Sequence, residues 1–275
     1  MSFGIAQVVV RPSMGDRMTR SRIAALAIAA GLGCAVPGGA AIAADLPYVE
    51  PVPLATGGWY LRGAIGMSNQ RLGNLDYQYF ETPGYATEWI NKGDFSSAPT
   101  FSLGAGYQFN DWFRADLTGQ YRGKADFSAT QRVTPLEGAP FSDDYTAQKS
   151  EWLFLANGYV DLGTYHGITP YVGAGIGTSR NTISGFRDVN TELNGGGYAG
   201  SDSQWNFAWA LHAGLGFKVT ENLIFDLGYS YVDLGNGKTD TAYNIDPNYS
   251  RPNDGFKFKN ITSHDVNFGI RYLFN

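Results

Sequence analysis

Eight segments of this chain alternate apolar with polar or small residues at a period of two. They span 58–70, 100–109, 113–123, 151–163, 168–179, 205–219, 223–234 and 265–275. The last is the clearest: Val266, Phe268, Ile270, Tyr272 and Phe274 alternate with Asp265, Asn267, Gly269, Arg271 and Leu273. The connections alternate too. Those after the second, fourth and sixth segments are a few residues long, whereas the others cover 71–99, 124–149, 180–204 and 235–260. A compact soluble domain seldom carries four loops longer than ~15 residues. A transmembrane β-barrel expects short periplasmic turns, long extracellular loops and an even strand count. A soluble β-sandwich would explain the period of two but not the alternating connections, and it would turn its apolar faces inward together. The expected fold is therefore all-β: an eight-stranded antiparallel transmembrane β-barrel with short periplasmic turns and four long extracellular loops.

Composition fits. Charged residues make up 16% of the chain, against roughly 25% in soluble domains, while aromatics reach 15%. Outside the N-terminus there is no run of ~18 apolar residues from which to build a spanning helix. With the N-terminus periplasmic, Trp59, Phe109, Phe113, Phe217, Phe225, Tyr272 and Phe274 fall near the periplasmic strand ends. Tyr121, Trp152, Trp205, Phe207, Tyr229 and Tyr231 fall near the outer ends. Two such belts are expected where amphipathic rings meet the membrane interfaces. The last strand is expected to pair with the first, which removes both sheet edges.

The N-terminus reads as an export signal. Arg17, Arg20 and Arg22 precede the apolar run 23–33, and small residues follow, ending AIAAD at 41–45. Cleavage is expected after Ala43, with Ala44 as the alternative, and translation from Met14 or Met18 rather than Met1. Cys34, the single cysteine, lies in the removed segment, so disulfides and thiol catalysis drop out. Residues 44–57 form a proline-rich periplasmic leader and 58–275 the barrel. The formal charge of −5 becomes more negative once 1–43 are removed, which argues against nucleic acid as a partner.

Inside the barrel, alternation points Arg62, Arg114, Asp116, Arg122, Asp161, Lys218, Asp226, Asp265 and Arg271 into the lumen. An eight-stranded barrel is just wide enough for side chains to fill. Charges there persist when paired, so a salt-bridged plug is expected, with Arg114, Asp116, Asp226 and Arg271 as pairing partners. A narrow ion pathway along the same charges is the alternative. GAGIG at 173–177 sits inside a strand and opens no helix, so it is not a nucleotide loop. Ser263-His264-Asp265 is the one triad-like set, but neighbouring strand residues point to opposite faces and cannot converge. His166, His212 and His264 are scattered and supply no metal-ligand spacing. No catalytic residue, metal or cofactor is expected. The long connections hold Tyr77, Tyr79, Phe80, Tyr85, Trp89, Phe141, Tyr145, Phe186, Tyr198, Tyr243, Tyr249, Phe256 and Phe258. Such rings suit either recognition of a protein or sugar, or packing of the loops on one another.

The export signal followed by ADLP, then LFLANGYVDLG, TPYVGAGIG, FAWALHAGLGF, LGYSYVDLG and the closing GIRYLF, resembles the opacity-protein and OmpA-like outer-membrane barrel superfamily. The nearest likeness is to small alphaproteobacterial outer-membrane antigens of the "porin family" type. The resemblance covers 44–275. It implies residence in a Gram-negative outer membrane, contact with its lipids including lipopolysaccharide, and assembly by the barrel-insertion machinery. It also implies a structural surface protein that meets an extracellular ligand or host surface; a small porin is second and a lipid-modifying enzyme a distant third. Chains of this kind usually end on the aromatic residue, whereas here Asn275 follows Phe274.

Overall fold

A computed structural model describes residues 57–274 except 79, 81 and 252. The expected export signal and nearly all of the leader lie outside the described residues. In chain order the strands are β1 Gly58–Arg71, β2 Asn74–Asp76, β3 Tyr85–Phe95, β4 Ala98–Gln108, β5 Phe113–Pro135 and β6 Phe141–Asp161. They continue with β7 Ile168–Asn190, β8 Gly195–Ala199, β9 Asp202–Lys218, β10 Leu223–Lys238, β11 Ala242–Asn244 and β12 Lys257–Phe274. A single 3-10 turn, Pro247–Tyr249, is the only helical element among the described residues, and no helix there is long and apolar enough to cross a membrane.

Eight strands close into an antiparallel ring in the order β1, β4, β5, β6, β7, β9, β10, β12 and back to β1. The closing seam runs from Trp59 opposite Phe274 to Arg71 opposite Thr262. Neither β1 nor β12 is left as an edge, so the backbone groups of the membrane section are satisfied within the ring. The outward faces are apolar and bare: Leu103 is 76% exposed and Phe268 52%. For a soluble protein this would be an aggregation surface; here lipid is the solvent. Trp59, Tyr107, Phe109 and Phe113 form a chain of ring contacts at one end, and Tyr121, Trp152, Phe154 and Trp205 form another towards the other end.

The short turns have local chemistry. Asn110 Oδ1 accepts from the amides of Trp112 and Phe113, and Thr220 Oγ1 accepts from those of Asn222 and Leu223.

The long connections differ from the expectation of loops, since much of their length is strand. The β5–β6 hairpin stays paired up to Val133 opposite Phe141, so only 136–140 form its tip. β3 fills 85–95 and pairs with the upper part of β5, while β8 pairs with the upper part of β7 and carries β11 on its other side. The barrel wall thus continues beyond the membrane as a crown.

The phase of alternation changes where the wall leaves lipid. On β5, Arg114, Asp116 and Arg122 are buried, then Ala125, Phe127 and Ala129. The buried parity switches from even to odd at an irregularity between Arg122 and Ala125. On β7 the buried set passes from Ser179, Asn181 and Ile183 to Phe186 and Asn190. The extra residue there lies near Gly185, whose φ of 62° is the left-handed conformation that glycine takes without strain. Below these bulges the strands put apolar residues outside, against lipid. Above them water is outside, and the apolar residues turn in.

Candidate functional site in the barrel interior and crown

The lumen holds two tiers of charge. In the lower tier Arg114 Nε donates to both oxygens of Asp161 at 3.2 and 3.3 Å, and its guanidinium lies 4.1 Å from the ring centre of Tyr159 and 4.8 Å from that of Tyr171. Arg62 donates to Asp116 at 3.1 Å and to the Tyr159 hydroxyl at 2.8 Å. Asp116 also accepts from the Tyr60 hydroxyl at 3.0 Å and from Asn157 Nδ2 at 2.8 Å. Arg271 donates to Asp226 at 3.2 Å. Between the tiers, His212 bridges Ser230 Oγ at 2.8 Å and Asn157 Oδ1 at 3.1 Å.

The upper tier centres on Arg122, which is fully buried. It grips Asp265 with two donors at 3.1 and 2.6 Å and donates to Ser68 at 3.0 Å. Its Nε donates to Gln120 Oε1 at 3.0 Å and lies 2.9 Å from Glu151 Oε1, while Glu151 Oε2 meets the buried ammonium of Lys149. Lys149 donates in turn to Gln70 Oε1 at 2.8 Å.

Two of the sequence expectations need correction. Lys218 is not part of the buried network: at the end of β9 its ammonium pairs with Glu221 in the adjoining turn at 2.8 Å, with 43% of the side chain exposed. A long flexible cation at a strand end reaches water at little cost, so it stays at the mouth. The expected foursome also divides differently. Arg271 does pair with Asp226, but Arg114 takes Asp161 and Asp116 takes Arg62. Tyr60, Lys149 and Glu151 were missed. The signal for the last two was present, because they continue the inward parity of Asp161, Tyr159 and Asn157 back along β6.

Ser263, His264 and Asp265 do not converge. Ser263 Oγ donates to Asp265 Oδ1 inside the barrel, while His264 Nδ1 lies outside, 2.6 Å from the Tyr229 hydroxyl.

Above the charges sits an aromatic stopper. Phe95, Phe127 and Phe258 form one cluster directly over Lys149, with the Phe95 ring centre 5.7 Å from its nitrogen. Phe186 stacks on Phe256 at 4.0 Å, and Phe256 on Tyr77 at 4.1 Å. Phe80, Trp89 and Tyr145 complete it. Most of the rings assigned to the long connections are therefore interior packing. Tyr85, Tyr198 and Tyr243 remain exposed.

A closed eight-strand antiparallel ring with a bare apolar belt and a charged, filled interior is the architecture of outer-membrane barrels. The family described as the outer membrane protein beta-barrel domain matches residues 26–274. The chain belongs to this family. As one of its members it resides in the bacterial outer membrane. It is 33% identical over 269 residues to an uncharacterised protein of Brucella abortus (strain 2308), covering 86% of this chain and 93% of that one. It is 29% identical over 187 residues to the outer membrane protein PagN of Salmonella typhimurium, covering 62% and 70%. It is 28% identical over 176 residues to a protein of Rickettsia massiliae provisionally named an adhesin, covering 62% and 72%. The family barrel thus has relatives associated with the outer membrane and with attachment.

Electrostatics differ between the rim and the inner wall of the crown. Asp76 accepts a 2.6 Å bond from Lys259, which holds its carboxyl below the usual range. Burial would raise Asp202, but Lys238 at 3.0 Å outweighs it and the group is lowered. On the inner wall the direction reverses. Burial, reinforced by Asp143 and Asp144, pushes Asp188 up to about 8, and burial also raises Asp143.

Proposed function

We propose that this protein is a non-conducting structural barrel that holds a rigid extracellular crown in place for contact with a host or other external surface. The observation that carries the reading is the filled interior: a paired-charge plug within the membrane and an aromatic stopper directly above it. Two internal cavities beside the plug measure only about 60 and 20 Å³. A packed crown also keeps its outer residues, such as Tyr198 and Tyr243, in fixed positions, which lowers the ordering cost of binding. The attachment role draws on the relative named as an adhesin, and the non-enzymatic reading on the divergence of Ser263 and His264.

A small porin is the competing reading. Purified, refolded protein in a planar bilayer should give no steady conductance step; a reproducible step would establish the porin instead. For the contact role, expression in a non-adherent bacterial host should raise attachment to host cells. Tyr198→Ala combined with Tyr243→Ala should reduce that gain. Attachment equal to that of the empty host would refute the contact role.

A further inference from the structure

β3 is an open strand at the top of the crown. It pairs with β5 along one edge, and among the described residues no strand pairs with the other. Tyr85 lies opposite Pro135 at the outer end of β5 and Phe95 opposite Phe127 nearer the membrane, so the strand runs from the tip downward. Tyr85, Ala86, Thr87 and Glu88 are all exposed, which leaves both faces open as well as the edge. Leu136 donates its amide to the Gly84 carbonyl at 3.0 Å, and bonded pairs alternate with unbonded ones along an antiparallel ladder. Ala86 and Glu88 therefore exchange bonds with β5, while Tyr85, Thr87 and Trp89 turn their backbone groups to the free edge. Pro135, opposite Tyr85, agrees, since it has no N–H to give. The Tyr85 amide closes a turn on the Thr82 carbonyl at 3.3 Å; the amides of Thr87 and Trp89 have no such partner among the described residues. Natural sheets blunt a free edge with lysines, proline or a bulge. On β3 the bulge begins only after Trp89 and the first lysine is Lys92, so 85–89 carries one charge, Glu88.

We propose that this edge pairs with the same edge of a second copy carried by a facing cell. Antiparallel pairing centred on Thr87 sets Thr87 against its own counterpart and Tyr85 against Trp89, and threonine and aromatic pairs of this kind stabilise a ladder. It uses the backbone groups that are free: the Thr87 pair exchanges both bonds, and each Trp89 amide meets the opposing Tyr85 carbonyl. Centring on Glu88 instead would set like charges against each other. Centring on Ala86 would call on the Tyr85 amide, which the turn already uses. The membrane decides which copies can meet. Two barrels in one membrane are related by rotation about its normal, so their strands run in the same sense and Glu88 stands level with Glu88 of the second copy. Barrels in facing membranes present the strand in opposite senses, as the ladder needs. The inference goes beyond the host-contact role and does not depend on it, because Tyr198 and Tyr243 lie on β8 and β11. A strand of a different protein is the competing occupant, and only self-pairing requires the barrel on both cells.

The test uses the full chain in the outer membrane of a non-clumping bacterial host, in two populations with different fluorescent labels. Mixed clumps should form when both populations carry the barrel and not when only one does. Thr87→Pro should lose them, since it removes an N–H that faces away from β5, while the heat-modifiable mobility of the barrel is kept. Cys34 is the single cysteine, so in a Cys34→Ala background Thr87→Cys under mild oxidant should link barrels of the two populations, told apart by tags of different size. Wild-type clumping by Thr87→Pro would overturn the proposal. So would mixed clumps that need the barrel on one population only, which would make the occupant another surface molecule. Disulfide dimers of one tag size alone would also overturn it, by placing both copies in one membrane. If Thr87→Pro does not reach the outer membrane, the disulfide decides: absence of the mixed-size dimer sinks the idea.

Discussion

Arg62 and Arg271 stand directly opposite each other across the closing seam. Like charges so placed repel. Each is drawn off by a carboxylate from the strand on its far side, Arg62 by Asp116 beyond β4 and Arg271 by Asp226 on β10. The seam between the first and last strands therefore relies on carboxylates that belong to neither. Asp116→Ala should leave Arg62, whose side chain is 17% exposed, without its carboxylate beside Arg271, at a cost of ~3 kcal/mol, the low end for a broken buried pair. The loss should appear as a lower temperature for the heat-modifiable gel transition. Adding Arg62→Met should recover most of it, because removing both partners is far cheaper than removing one. A single variant with wild-type stability would mean that the pair contributes nothing to closure.

The outward face of β12 gives a depth test. Phe268 and Phe274 are both about half exposed, but Phe274 lies at the strand end opposite Trp59 and Phe268 lies six residues in, opposite Ile65. A charge near the bilayer midplane costs ~2–4 kcal/mol, and near the interface ~0–1. Phe268→Arg should therefore destabilise the barrel refolded in vesicles far more than Phe274→Arg does. Equal effects in equilibrium unfolding would show that the two do not differ in depth.

The acid on the inner wall of the crown predicts a pH response. Asp188 titrates near 8 in the fold and near 3.9 in an unfolded chain. A raised carboxyl contributes stability that is complete below the unfolded value and is lost as pH rises towards the folded one. The crown should accordingly become more sensitive to protease as pH rises from about 4 to about 8, with no further change above that. Asp188→Asn should flatten this dependence. A crown most resistant at high pH would contradict the sign.

Phe258 is fully buried and touches Phe95, Phe127 and Phe186. Phe258→Ala should cost ~3–5 kcal/mol, the range for large-to-small core changes at aromatic sites. The loss should fall on the crown: faster proteolysis of extracellular segments, with little change in the detergent-resistant membrane section. If both sections weaken together, plug and stopper form one cooperative unit.

The lipid-facing half of each strand was legible because lipid imposes one demand along the whole membrane section, and that demand repeats every second residue. Val266 to Phe274 is enough to read it. The inward charges followed from the same parity, but their partners did not. Arg114 meets Asp161, 47 positions away, through a register that no local pattern records. The crown was misread for a different reason. Its alternation continues through Ala125, Phe127 and Ala129, but a bulge has shifted it by one residue, so a strand with the opposite phase looked like a loop.

That shift also sets which chain errors the protein can absorb. In an ordinary strand, a single lost residue turns every later side chain to the other face. At the bulges it would not. Removing Lys124 would leave Arg122 and Ala125 two positions apart, so plain alternation would still point Ala125, Phe127 and Ala129 inward. Removing Gly185 would do the same for Ile183 and Phe186 on β7. The extra residue on each strand is therefore slack. A codon lost there would straighten the wall, whereas one lost between Arg114 and Arg122 would put the two sides of the cut out of phase.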